Sequence, residues 1–161
     1  MFNNGPLRIA FLTYRGHPYT GGQGVYTRHM ARELVALGHE VEVISGPPYP
    51  HLDPEIRLTK LPSLDLYRMP DPFRIPRLSE FKDRFDVLEY LVTSAATFAE
   101  PLTFSLRAHQ ELVDRLHEFD VVHDKEVGMR EPASNLKIVW KVLKCFCISK
   151  VRQDIHIVIV C

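Results

Sequence analysis

The chain lacks most features that would place it in a specialised class of proteins. It is not biased toward either charge, because 20 Lys and Arg residues balance 20 Asp and Glu residues. A zero net charge gives no reason to expect attraction to nucleic acid or to an anionic membrane. No apolar run approaches the roughly 20 residues of a membrane span, and the short run at residues 7–14 contains Arg8, unlike a secretory signal. These absences predict a cytoplasmic protein with no nucleic-acid partner and no transmembrane segment.

Cysteine is scarce and confined to the last part of the chain. The three cysteines are Cys145, Cys147 and Cys161, and none occurs in residues 1–124. Cys-x-Cys with one further cysteine is not a usual zinc spacing, and an odd number argues against a disulfide framework. We therefore predict reduced thiols and no metal site.

The amino-terminal part has the pattern of a β-α-β unit. The whole chain has 161 residues, which suffice for one domain with a hydrophobic core. Residues 7–14 are nearly continuously apolar, which is typical of a parallel strand covered on both faces. A helix is predicted over residues 24–37 and a second strand over residues 39–44, with Gly38 ending the helix. Connections this short predict parallel strands joined by a right-handed crossover. The predicted buried stripe of the helix is Val25, Met30, Leu34 and Leu37.

The segments after residue 45 show a less regular order of strands and helices. Eight of the twelve prolines lie between residues 46 and 76, where we expect extended loops and a short strand at 56–61. Helices are predicted over residues 78–92 and 101–118, followed by a strand at 119–123. The apolar residues that we expect to share a core-facing stripe of the first of these helices are Leu78, Phe81, Phe85, Leu88, Leu91 and Val92.

A glycine-rich loop stands between the first strand and the first helix. It reads Thr20-Gly21-Gly22-Gln23-Gly24. Glycines at a helix start let the backbone approach a ligand closely, and the helix N-terminus favours an anion such as phosphate. The alternative is a turn that only redirects the chain. A dinucleotide fingerprint fits poorly because Thr27 replaces its third glycine, and a P-loop is excluded because no Gly-Lys-Ser/Thr follows.

Three features are predicted to meet at one edge of the sheet. They are the glycine loop after the first strand, Ser45-Gly46 after the second, and His123-Asp124 after a later strand. Ligands of parallel α/β sheets bind beyond the carboxyl ends of the strands. This common position favours a ligand site over a simple turn.

Four stretches together resemble the amino-terminal domain of GT-B glycosyltransferases, most closely the retaining family 4 group. They read Leu-Arg-Ile-Ala-Phe-Leu, Gly-Gly-Gln-Gly-Val-Tyr-Thr-Arg, Glu-Leu-Val-Ala-Leu-Gly-His-Glu-Val-Glu-Val-Ile and Phe-Asp-Val-Val-His. The resemblance implies an α/β fold: a Rossmann-like parallel sheet with helices on both faces, forming the acceptor-side half of a GT-B enzyme. It implies sugar transfer from a nucleotide-sugar co-substrate to an unknown acceptor, with no cofactor and no metal.

The resemblance also assigns candidate site residues. The backbone around Gly21, Gly22 and Gly24 would bind the donor diphosphate and stabilise the departing nucleoside diphosphate. The region 46–76 and the helix after it would shape the acceptor pocket. His123 is the candidate catalytic residue, and the alternative is a structural histidine at a strand end. Lys125 stands where family members often carry a second histidine.

The resemblance ends near residue 124. Residues 1–124 are expected to form an incomplete GT-B amino-terminal domain, and residues 125–161 a divergent tail that arose from a frameshift, a splice difference or early termination. The family's carboxy-terminal donor domain is not found, so we expect the nucleotide sugar and acceptor to bind productively only if a second domain completes the cleft. The chain alone is then expected to be inactive. The alternative is a non-catalytic remnant or interaction module that retains the fold.

Overall fold

A computed structural model of the chain describes residues 5–19, 22–66, 75–94, 100–125 and 156–160. It contains five strands, three α-helices and two 3₁₀ turns in these ranges. The strands are β1 (Arg8–Thr13), β2 (Glu40–Ser45), β3 (Arg57–Lys60), β4 (Val121–Lys125) and β5 (His156–Val160). The helices are α1 (Gln23–Ala36), α2 (Arg84–Ser94) and α3 (Glu100–Val113), and the 3₁₀ turns are Leu78–Glu80 and Leu116–Glu118.

The five strands form one parallel sheet in the order β3-β2-β1-β4-β5. Strands β1 and β2 are neighbours with Ile9 opposite Val41, as the β-α-β spacing predicts. The chain therefore winds outward from β1 in one direction to β3 and then crosses to β4 on the other side. The Rossmann-like α/β fold is confirmed.

Hydrophobic residues cover both faces of the sheet, as expected for parallel strands. Alternate residues of β1 point to opposite sides, so Phe11 faces α1 and Ala10 faces α3. The core on the α1 face contains Ile9, Phe11, Ala31, Val41, Val43 and Ile56. The core on the α3 face contains Ala10, Ile44, Leu61, Phe104, Ala108, Leu112, Phe119 and Val122.

Helix α1 packs through smaller residues than predicted. Val25 and Leu37, at the two ends of the predicted stripe, are 41% and 73% exposed. Thr27 and Ala31 are buried instead, and Met30 and Leu34 pack at the border of the core. A small contact face brings the helix backbone close to the sheet, and that preference is not visible in hydrophobic spacing alone.

The predicted helix over residues 78–92 is wrong at its start, and two residues of its predicted stripe, Leu78 and Leu91, are exposed. Asp83 accepts hydrogen bonds from the backbone N–H groups of Phe85 and Asp86, which caps α2 at that point. Leu78 lies in a separate 3₁₀ turn and is 91% exposed, and Leu91 is also exposed. The fully buried side chains of α2 are Asp86 and Glu89, because the neighbouring α3 presents Arg107 to them.

An ion-pair network ties the amino ends of the strands to the end of α3. Arg115 donates to both carboxylate oxygens of Glu42 on β2, and it also pairs with Glu111 and Glu118. Burial alone raises the pKa of Glu42, but the hydrogen bonds from Arg115 and Thr59 outweigh it and hold that pKa below its ordinary value. The predicted helix over 101–118 ends at Val113, just before Arg115.

The predicted tail is described only in part. The strand-like run that begins at residue 155 forms β5, which pairs in parallel with β4. The helical run predicted over residues 136–148 lies outside the described residues. Strand β4 extends to Lys125, so the predicted boundary at residue 124 falls within it. In the part of the chain that the structure describes, no helix is long and apolar enough to cross a membrane.

Candidate functional site

The strand order places a switch point at the carboxyl ends of β1 and β4. The chain passes from β1 to β2 on one side of this point and from β4 to β5 on the other. Such a switch point is where ligands bind in open α/β sheets. The loops after β1 and β2 meet here, since the N–H of Gly16 donates to the carbonyl of Pro48 at 2.8 Å.

Gly22 is the residue that opens α1 at this edge. It is the N-cap, its φ is +72°, and a Cβ added to it would meet nothing within 4 Å. Among the described residues, no side chain caps the helix, and its first turn carries no acidic residue. The free N–H groups of this turn and the positive end of the helix dipole favour an anion at this end of α1.

Gly24 has a different reason to be glycine. A Cβ at this position would collide with the backbone carbonyl oxygens of Gly16 and His17. The glycine lets the first turn of α1 pack directly on the loop that follows β1. Gly21, the third predicted phosphate-binding glycine, and Thr20 lie outside the described residues.

His123 lies on β4 beside the switch point. It is buried with 8% exposure, and its ring lies against Phe11 of β1 with centroids 4.4 Å apart. It belongs to the same sheet face as α1, the helix that Gly22 opens. The next residue, Asp124, lies opposite Leu12 of β1 and belongs to the other face of the sheet.

A pocket opens at the same edge, on the α3 face. It is lined by Tyr14, Gly46, Pro62, Ser63, Glu100 and Phe104, among others. Glu100 begins α3 and is buried, and Arg15 donates to its carboxylate at 3.2 Å. Burial raises the pKa of the Tyr14 hydroxyl. The cavity has a volume of about 10 Å³, which is room for about one water molecule and not for a sugar.

The turn that carries Ser63 is held by buried charge. Ser63 donates to Glu89 at 2.8 Å and accepts the N–H of Asp65 at 3.1 Å. Asp65 has φ +48°, a left-handed conformation that costs a non-glycine residue about 1–3 kcal/mol and needs surrounding support. Glu89 accepts in turn from Thr103 and from Arg107, which also pairs with Asp86 at 2.6 Å. The pocket wall is thus joined to α2 and α3.

Several residues of this edge were not predicted from the sequence. Tyr14 and Arg15 directly follow β1, and that position alone could have marked them. Glu100 precedes Pro101 at a helix start, and α3 runs antiparallel to the strands, so its first turn reaches the ligand edge. No local signal marks Ser63 or Glu89, because their roles depend on contacts between distant segments.

Comparisons with known proteins show the family to which the chain belongs. Residues 21–134 match the family described as "Glycosyl transferase 4-like domain", which extends past the boundary predicted at residue 124. Over 121 residues, or 74% of the chain, the sequence is 62% identical to "MMP alpha-(1->4)-mannosyltransferase" of Mycolicibacterium hassiacum. The chain spans 29% of the length of that relative.

Proposed function

The chain belongs to the glycosyl transferase 4-like family, and from that premise we propose that it is the acceptor-side domain of a mannosyltransferase. The proposed reaction moves a mannosyl group from a nucleoside diphosphate sugar to an acceptor hydroxyl through an α-(1→4) linkage, with retention of configuration. A second domain completes the cleft. The linkage and sugar are taken from the relative that is 62% identical.

The position of Gly22 is the observation that supports this proposal most directly. It combines a helix N-terminus and a positive φ with a position where an added Cβ would meet no atom within 4 Å. In the proposed mechanism, the backbone N–H groups at the start of α1 bind the donor diphosphate. As the glycosidic bond breaks, negative charge grows on the departing nucleoside diphosphate, and these fixed dipoles stabilise it. Gly21 and Gly24 complete the proposed loop.

The pocket on the α3 face is the proposed acceptor site. It lies at the same edge of the sheet as the glycine loop but on the opposite face. The donor and the acceptor would therefore approach this edge from opposite faces of the sheet. Glu100 and Tyr14 line this cavity of about 10 Å³, so a sugar would bind there only after the segment with Pro62 and Ser63 moves aside. His123, on the α1 face, is the proposed contact to the transferred sugar.

A chimeric enzyme tests the proposal. Residues 1–124 replace the matching part of the Mycolicibacterium hassiacum relative, and transfer of radiolabelled mannose from a nucleoside diphosphate mannose to an α-(1→4)-linked mannooligosaccharide is measured. We expect turnover within tenfold of the intact relative. A well-folded chimera that binds neither substrate would refute the proposal and favour a non-catalytic interaction module that retains the fold.

A further inference from the structure

Helix α2 buries acidic side chains and exposes apolar ones. Asp86 and Glu89 are buried and form ion pairs with Arg107 of α3. On the opposite side of the helix, Val87 is 46% exposed and Leu91 is 60% exposed. A helix at the surface of a soluble protein ordinarily turns its apolar side toward the core. Helix α2 does the reverse, so its outward side offers apolar residues to a partner.

The segment that leads into α2 adds two aliphatic side chains that are still more exposed. Ile75 is 82% exposed, and Leu78, in the 3₁₀ turn, is 91% exposed. This turn lies beside α2, because the ring of Phe81 contacts the ring of Tyr90 edge-on, with centroids 5.7 Å apart. We call the exposed residues between residues 75 and 94 the α2 surface.

The charged residues of the α2 surface are all of one sign. They are Arg77, Lys82 and Arg84. The four acidic residues of the same stretch are buried or half-buried, and three of them form ion pairs with Arg107 of α3. The zero net charge of the whole chain therefore conceals a local separation, in which the cations of this stretch lie outside and the carboxylates lie inside.

We propose that the α2 surface docks on an anionic lipid surface, with its aliphatic side chains in the apolar boundary and its cations at the headgroups. Aliphatic side chains beside Lys and Arg are the combination by which interfacial helices bind anionic membranes. This inference goes beyond the proposed function and does not depend on it.

Two other kinds of partner fit the α2 surface less well. A two-fold contact between copies of the chain would use the same surface on both, and cations would then face cations. Protein interfaces in general are enriched in aromatic residues, whereas the large apolar side chains exposed on the α2 surface are all aliphatic.

The test measures binding of the full chain to sedimented vesicles of pure phosphatidylcholine, and of phosphatidylcholine with a third of phosphatidylglycerol. We expect the chain to bind the anionic vesicles at least tenfold more tightly than the neutral ones, and the binding to weaken as salt screens the charges. Replacing Leu78→Ser together with Leu91→Ser should weaken binding to anionic vesicles at least fivefold. Replacing Lys82→Gln together with Arg84→Gln should remove most of the preference for anionic vesicles.

The matched controls lie on α1 and at its end. The side chain of Arg32 is 52% exposed and Leu37 is 73% exposed. Arg32→Gln and Leu37→Ser therefore remove an exposed cation and an exposed aliphatic group away from the α2 surface. Both variants should bind anionic vesicles as the wild type does. Circular dichroism and thermal unfolding show whether each variant is folded, and the changed side chains are all exposed in the wild type.

Other results would overturn this assignment of the α2 surface. A wild-type chain that binds no vesicle, or binds neutral and anionic vesicles equally, would exclude an anionic lipid partner. An equal loss of binding in the α2 variants and the controls would show that binding does not depend on the α2 surface. Binding of soluble polyglutamate without vesicle binding would assign the surface to an acidic protein. Self-association in analytical ultracentrifugation that Leu78→Ser with Leu91→Ser abolishes would assign it to a second copy.

Discussion

The imidazole of His123 lies against the phenyl ring of Phe11, with ring centroids 4.4 Å apart and planes tilted by 35°. The two residues are register partners on β4 and β1, the strands that flank the switch point. The contact fixes the histidine ring on the α1 face of the sheet. The same contact would be formed by any aromatic ring at this position, so packing and chemistry can be separated by substitution.

His123→Phe is expected to keep the fold and to lower sugar transfer by the chimeric enzyme at least tenfold. Phenylalanine preserves the contact with Phe11 but has no nitrogen to offer a ligand. Transfer rates and thermal unfolding are measured for His123→Phe and, as the control that loses the ring, His123→Ala. Full activity in His123→Phe would identify His123 as a structural histidine.

Gly22→Ala should weaken binding of a nucleoside diphosphate at least tenfold. The added methyl group would occupy the open space that the phosphates are proposed to enter. Gly38→Ala is the matched control, since Gly38 also has a positive φ and open space around it but lies at the other end of α1. Both changes cost about 1–2 kcal/mol of backbone strain.

The comparison is made by calorimetric titration with GDP and UDP, and by thermal unfolding of both variants. Equal nucleotide affinities in the two variants would mean that the glycine loop is only a turn. Gly24 is unsuitable for this test, because any side chain there displaces the loop at residues 16–17. A loss of nucleotide binding could then result from a disturbed fold.

The 161-residue chain by itself should not transfer sugar. A half-cleft cannot orient two substrates, and orientation can supply about 7–11 kcal/mol of the barrier reduction. Transfer of labelled mannose is measured with the purified chain, with the chimeric enzyme as the positive control. Turnover by the chain alone, in a preparation free of other transferases, would contradict the prediction.

Stability should fall in acid, partly through Glu42. Its pKa is lower in the folded chain than the ordinary value of 4.5, so its contribution is present above that value and is lost as the pH falls below it. Glu42→Gln should cost about 1–3 kcal/mol at pH 7, because Arg115 loses one of its three charged partners. The variant should also show a shallower loss of stability below pH 4.5.

Urea unfolding between pH 3 and pH 7 measures this effect. Glu55→Gln, at an exposed carboxylate in the connection before β3, is the control and should follow the wild-type curve. Parallel pH profiles for Glu42→Gln and wild type would show that other carboxylates, such as Asp83 and Asp120, carry the acid sensitivity. The pKa values of both are also lowered, chiefly by hydrogen bonds from Arg107 and Arg8 acting against burial.

The tail should be less protected from hydrogen exchange than the first β-α-β unit. Strand β5 pairs with β4 at one edge of the described sheet, and its sequence lies beyond the family match that ends at residue 134. Amide exchange followed by mass spectrometry should be far faster at residues 156–160 than at residues 9–12 and 41–44. Equal protection would mean that the tail is an evolved part of the domain and that its proposed origin by frameshift is wrong.

The sequence by itself determined the β-α-β unit, the parallel sheet and the place of the glycine loop at the start of α1. These features depend on contacts and periodicities within about 40 residues, and glycine at residues 22 and 24 follows from local backbone geometry. The family could also be recognised, because its motifs lie in these same segments.

Only the tertiary structure decided what α2 buries and which residues line the cavity on the α3 face. The apolar spacing of residues 78–92 predicted a hydrophobic contact face. In the structure, α2 instead buries Asp86 and Glu89, which form ion pairs with Arg107 on α3. A buried guanidinium must be paired with carboxylates. These carboxylates therefore occupy the buried positions of α2, and Leu91 stays exposed. The pocket likewise joins Tyr14, Ser63 and Glu100, which are far apart in sequence and meet because the parallel strands and α3 bring their ends to one edge.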